Sequence, residues 1–193
     1  MTNKISLYHG SNSNIFLSMQ SVGPRLLSKN MVRKLGGLCL TGEFLHNRKY
    51  EGDIICFKEG LVPGLKYYTE NRFDPEWIKK IIAPKRPGYC PEEPEQLKFL
   101  EETLRVYESL PEHYKEMVLK SFPVIFGFNV PSLQAFGEFY KTYESPLEHQ
   151  FLHEITLSPF LDEIHVPKKA PNLDKLLEMS GINLKSVTLK MLK

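Results

Sequence analysis

Leu7-Tyr8-His9-Gly10-Ser11 closes an alternating run that begins at Lys4, and the fold of the chain is read outward from it. At a two-residue period, Ile5, Leu7 and His9 fall on one face of a strand and Ser6 and Tyr8 on the other. Gly10-Ser11-Asn12-Ser13-Asn14 then predicts a break into a turn, because these residue types favour turns and leave backbone N–H groups open to a ligand. A His at a strand's end, followed by Gly and a hydroxyl, suits a ligand that carries an amide and a ribose. Imidazole can hydrogen-bond a sugar hydroxyl, and Gly lets backbone groups approach a planar carboxamide.

Beyond this stretch, Ile15, Met19 and Val22 recur at i, i+4 and i+7 and predict a helix, with Asn14 as its N-cap and Gly23-Pro24 as its stop. Arg25 to Lys34 is polar, basic and aperiodic, as expected of a loop. Leu38 to Thr41 and Asp53 to Lys58 read as buried strands. Asp74-Pro75-Glu76-Trp77 is a helix start: Asp caps, Pro takes the first helical position and an acid follows. After a proline-rich break, Leu97, Leu100, Leu104 and Tyr107 mark one amphipathic helix, and Glu112 to Lys120 a second, with Tyr114, Met117 and Val118 inward. Residues 74–121 therefore read as a helical insertion in a single domain spanning 1–193. Strands are expected at Val124–Val130, Phe151–Leu157 and Ile164–Pro167, a helix at Leu173–Met179 and a last strand or tail from Val187. Phe136 to Gln150, polar and aromatic, is expected to be a loop. Short strands interrupted by helices without strict alternation predict an α+β fold rather than a doubly wound sheet.

Composition bounds the function classes. A chain of 193 residues is long enough for an independent core. A formal charge of +2 carries no mark of a nucleic-acid binder. Cys39, Cys56 and Cys90 lack metal-ligand spacing and read as reduced thiols of an intracellular protein. No apolar segment follows Met1-Thr2-Asn3-Lys4, and no run approaches ~18 apolar residues, so neither a signal peptide nor a membrane span is expected. The expected compartment is the cytoplasm, or a host cytosol for a delivered effector or toxin. His149 and His153 have the i, i+4 spacing of a metal-binding helix, but the strand expected from Phe151 argues against it, so no metal is expected. There is no Gly-x-Gly-x-x-Gly or phosphate-loop motif, which counts against a Rossmann dehydrogenase or a phosphate-loop enzyme.

Three stretches in order resemble the ADP-ribosyltransferase superfamily, in its diphtheria-toxin-like and poly(ADP-ribose) polymerase-like branch. Leu7-Tyr8-His9-Gly10-Ser11 resembles its first motif, a strand ending in His-Gly-Ser or His-Gly-Thr. Gly36-Gly37-Leu38-Cys39-Leu40-Thr41 is similar to its Gly-rich second strand, and Glu43 to Tyr50 to the helix after it. Phe151-Leu152-His153-Glu154-Ile155-Thr156-Leu157 resembles the strand that carries its catalytic Glu. The resemblance implies two small antiparallel sheets and NAD as the substrate. His9 would bond the nicotinamide-side ribose, Gly10 the carboxamide, and Ser11 would support the adenosine-side ribose. Thr41, Asn47 and Tyr50 would complete the NAD site, with Tyr50 stacked on nicotinamide. Glu154 would bind the ribose 2′-hydroxyl and stabilise the developing cation. Apart from the resemblance, Arg25, Lys29, Arg33 and Lys34 read either as a solvated basic loop or as contacts to the pyrophosphate of a dinucleotide. Tyr140 and Tyr143 would lie in the loop that meets the acceptor.

The chemistry fits that assignment. Transfer from NAD breaks a glycosidic bond through an oxocarbenium-like state, and a carboxylate near the cation is the electrostatic term that matters most. The departures from the family pattern count against polymer elongation, leave the acceptor type open and leave room for a weakened or inactive enzyme. Polymerising members usually have Tyr where Cys39 stands, and a small Ser usually stands at the position of Asn47, about a helical turn before the stacking Tyr. Arginine-directed toxins have Glu or Gln where Leu152 stands. The expectation is a mono-ADP-ribosyltransferase acting on a protein acceptor, with a nucleic-acid acceptor still open. Two alternatives stand beside it: a binding module that keeps the fold without catalysis, and an RNA 2′-phosphotransferase-like enzyme. The second ranks lower because such enzymes carry a further N-terminal domain and a set of phosphate-gripping arginines.

Overall fold

Val124, Ile125, Phe126 and Phe128 make an almost unbroken apolar run, the pattern of a strand covered on both faces. In the computed structural model, which describes residues 4–27, 54–58, 73–83, 94–140 and 148–192, that run is buried deep in a sheet. Nine strands are described: β1 (Ile5–Asn12), β2 (Arg25–Leu26), β3 (Ile54–Lys58), β4 (Pro123–Val130), β5 (Phe139–Tyr140), β6 (Glu148–Phe151), β7 (Ile155–Thr156), β8 (Leu161–Pro167) and β9 (Thr188–Leu192). Seven form one sheet in the order β5-β6-β3-β1-β4-β8-β9, and β2 and β7 form a separate antiparallel pair. Neighbours in the large sheet are antiparallel except β8 and β9, which are parallel. A parallel pair needs a crossover. Here it contains the helix Leu173–Ser180, ended by Gly181 in the left-handed region at φ 69°.

The described helices are α1 (Asn14–Val22), α2 (Pro75–Ile82), α3 (Pro94–Ser109), α4 (Glu112–Leu119), the single turn α5 (Leu133–Phe136) and the crossover helix α6 (Leu173–Ser180). The chain is therefore α+β. Among the described residues the strands form one large mixed sheet and a separate antiparallel pair, and β9, which returns parallel to β8, gives the large sheet its mixed character.

α2 begins as its sequence dictates. Asp74 Oδ1 accepts hydrogen bonds from the N–H groups of Glu76 (3.0 Å) and Trp77 (3.1 Å), with Pro75 in the first turn. α2, α3 and α4 lie between β3 and β4 in the chain. Their Ile78, Leu100, Leu104, Met117 and Val118 are buried in the same apolar cluster as Leu7 and Phe126. α1 contributes Ile15, Phe16 and Met19, and α6 contributes Leu176 and Leu177. The helices thus contribute to the cluster on the side of the sheet that carries Leu7, Phe126 and Ile164. The opposite side holds a smaller cluster of Tyr8 and Ile125 with Phe57 and Leu192. Among the described residues, no helix is long and apolar enough to cross a membrane.

Candidate functional site

β1 does not break at Gly10. It stays paired with β4 through Gly10–Ile125, Ser11–Val124 and Asn12–Pro123, so the turn expected over Gly10–Asn14 is corrected to strand as far as Asn12. Eight consecutive partners on β4 outweigh the turn propensity of single residues. The polar side chains bend the chain from β1 into α1 rather than open it. Asn12 Oδ1 accepts from the Asn14 N–H at 3.0 Å. Ser13 donates its N–H to the Phe122 carbonyl at 2.8 Å, and its Oγ accepts from the Phe122 N–H at 3.1 Å. Asn14 is therefore the first helical residue, not the cap. Ser11 retains 5% of its exposure, and Asn12, Ser13 and Asn14 are buried with it. His9 lies opposite Phe126, on the face of Leu7, and is half-buried, as is Gly10.

Glu154 also sits differently from its expected mid-strand position. β6 ends at Phe151, the chain bends through Leu152, His153 and Glu154, and β7 begins at Ile155. The bend transfers the chain from β3, the partner of β6, to β2, the partner of β7. Phe151, Ile155 and Leu157 are buried on either side of it and anchor both ends. The alternation foreseen from sequence survives where it matters: Ile155 and Leu157 point inward, while Glu154 and Thr156 are exposed. The Glu154 carboxylate lies 3.3 Å from the Arg25 guanidinium. Arg25, expected in a loop, is the first residue of β2 and is paired with Thr156.

Topology relates the two candidate residues. β3 lies between β1 and β6 and is antiparallel to both, so β1 and β6 run in the same direction. The exit of β1, at Gly10–Asn12, and the exit of β6, leading to Glu154, therefore face one end of the sheet. Among the described residues, β3 pairs with β1 at Leu7 and Tyr8, whereas β4 follows β1 over its whole length.

The expected loop Phe136–Gln150 is corrected in part: it contains the end of α5, all of β5 and most of β6. Tyr140 belongs to β5, with its backbone paired to Gln150. Thr41, Asn47, Tyr50 and Tyr143 lie outside the described residues, together with Cys39, Lys29, Arg33 and Lys34. His149 is on β6 opposite Cys56, and His153 is in the bend, 3.4 Å from Glu138, so the two do not share a helix. Burial, with the nearby Lys58 charge, pushes the His149 imidazole below its usual pKa. Burial pushes the Cys56 thiol far above its usual range. Among the described residues, no three His, Cys, Asp or Glu side chains are arranged to hold a metal.

The structure adds a polar centre that sequence reading missed. Glu163, 6% exposed, lies on the face of the sheet opposite His9. Its Oε1 is 2.8 Å from His165 Nε2, its Oε2 is paired with Lys190 Nζ, and the Tyr8 hydroxyl also hydrogen-bonds the carboxylate. Burial alone would raise its pKa; the bonds from Lys190, His165 and Tyr8 outweigh it and bring the pKa below the ordinary carboxylate value. With its oxygens engaged by donors from β1, β8 and β9, this carboxylate ties strands together. The available signal was the alternation in Leu161–Pro167, which puts Glu163 and His165 on one face; the distant partners Tyr8 and Lys190 gave none.

Compared with protein-family models, curated proteins and solved structures, the chain finds no match. What the fold and the site define is an α+β protein with a His-Gly-Ser strand and an exposed, arginine-paired glutamate facing one end of its sheet.

Proposed function

We propose that the chain is an NAD-dependent mono-ADP-ribosyltransferase of ADP-ribosyltransferase-like fold, with a protein as acceptor. The observation that carries this reading is the shared direction of β1 and β6, which turns the His9-Gly10-Ser11 strand and the Glu154 bend toward one end of the sheet. The order of the sequence motifs supports it independently. In this reading His9 holds the nicotinamide-side ribose, and Glu154 takes the 2′-hydroxyl and faces the positive charge that develops at C1′ as nicotinamide leaves. The acceptor's nucleophile then forms the new bond to C1′ and gives up its proton to solvent. An exposed carboxylate on a bend anchored by Phe151 and Ile155 suits that task, since its backbone is held while its tip reaches solvent.

A second reading, a binding module without catalysis, is favoured by one observation: Ser11, assigned to the adenosine-side ribose, is almost fully buried. Calorimetric titration with NAD separates the two. Micromolar binding that is lost in His9→Ala supports the transferase, and no binding at millimolar NAD supports the module.

A further inference from the structure

Resting on the transferase reading of Glu154, we infer that Arg25 is a specificity-determining residue for a pyrophosphate-bearing dinucleotide. It holds the Glu154 carboxylate in the absence of substrate and exchanges it for the pyrophosphate when substrate arrives. The two-stranded sheet sets up this exchange. Arg25 pairs with Thr156 and Leu26 with Ile155, and the Pro24 carbonyl accepts from the Leu157 N–H at 3.0 Å. Leu26, Ile155 and Leu157 are buried beneath the pair, so both backbones are fixed. Arg25, Glu154 and Thr156 lie on the outer face, where the side chains of Arg25 and Glu154 remain 37% and 41% exposed. The two charged groups therefore sit on a rigid base and meet in solvent.

An ion pair in that position is weak and easily exchanged. It also opposes the chemistry. A guanidinium 3.3 Å from the carboxylate cancels the negative charge that the oxocarbenium requires, so the pair has to part before the glycosidic bond breaks. Among the described residues, Glu154 is the ion-pair partner of Arg25. The pyrophosphate is the group on the substrate that competes for a guanidinium, which matches phosphate oxygens through two parallel hydrogen bonds. Binding of the dinucleotide thereby frees the carboxylate. A nucleoside such as nicotinamide riboside, which has the scissile bond but no phosphate, leaves the pair closed.

The test is a calorimetric cycle with ADP-ribose, which requires no turnover, on wild type, Arg25→Ala, Glu154→Gln and the double variant. Both side chains are exposed, and circular dichroism checks that each variant is folded. Glu154→Gln should bind ADP-ribose about threefold to fivefold more tightly than wild type, because Arg25 no longer has to leave a partner. Arg25→Ala should bind about tenfold more weakly, Arg25→Lys should lie between it and wild type, and the double variant should match Arg25→Ala. If Glu154→Gln tightens binding equally in the Arg25→Ala background, the effect is simple repulsion between carboxylate and phosphate, and the exchange is overturned. Absence of binding by all four proteins overturns it as well. Failure of the transferase reading is seen separately, as absence of nicotinamide release by wild type whatever the cycle shows.

Discussion

Gly127 on β4 lies directly opposite Glu163, and a methyl group there has no room. A Cβ built at Gly127 would sit 2.4 Å from Glu163 Cγ, 2.9 Å from its Oε1 and 3.0 Å from Tyr8 Cε1. Cγ is the middle of the Glu163 side chain, and His165, Lys190 and Tyr8 hold the carboxylate beyond it. The side chain therefore cannot swing aside without giving up those bonds. Gly127→Ala should destabilise the protein by about 1–3 kcal/mol, the usual cost of overpacking. For a chain of this size each kcal/mol lowers Tm by about 2–4 °C, so Tm should fall by about 2–12 °C. Equilibrium urea denaturation gives the free energy directly. The cause is isolated by repeating the substitution in Glu163→Ala, which removes Cγ and Oε1 and leaves, of these three contacts, the one to Tyr8. There Gly127→Ala should cost less than about 1 kcal/mol, giving a coupling of roughly 1 kcal/mol or more between the two positions. An equal cost in both backgrounds, or no cost in the wild-type background, would refute the steric account.

Three further outcomes can each be checked separately. The folded-state pKa of Glu163 lies below its ordinary value of 4.5, so its contribution is complete above that pH and is lost as pH falls through the depressed value. The stability advantage of wild type over Glu163→Gln should therefore hold steady above about pH 4.5 and shrink as the pH falls below it, and a gap independent of pH would contradict it. Asp74→Ala removes the acceptor for two N–H groups at the start of α2 and should cost about 1 kcal/mol by urea denaturation; an unchanged midpoint would show that the cap is idle. In the proposed transferase, replacing Tyr140 and Tyr143 by Ala should reduce acceptor labelling far more than NAD hydrolysis, while NAD affinity changes by less than about threefold. Equal loss of both reactions would move these tyrosines out of the acceptor site.

The sequence was most legible where the signal is local. The Asp74-Pro75 start of α2, the alternation over Val124–Val130 in β4 and the Gly23 and Gly181 helix ends are each written in neighbouring residues. It misled where a distant partner decides. Gly10, Ser11 and Asn12 have turn propensity, but β4, more than a hundred residues away, keeps them in a ladder. Phe151–Leu157 alternates like one strand, yet it is cut at Leu152–Glu154 because its halves pair with different strands, β3 and β2. The Glu163 centre was illegible for the same reason: Tyr8 and Lys190 reach it only through sheet pairing. Of the candidate site, His9 and Glu154 could be named from motifs, whereas the Arg25–Glu154 pair depends on the β2–β7 register.

The central claim is that Glu154 promotes cleavage of NAD, and nicotinamide release measures it most directly. Purified wild type and Glu154→Gln are incubated with NAD and a cell lysate as the source of acceptors, and free nicotinamide is quantified over time. The account predicts release by wild type and a loss of at least about a hundredfold in Glu154→Gln, the scale expected when one charge-stabilising group is removed from a transition state. Equal rates for the two proteins, or no release by wild type, would contradict it.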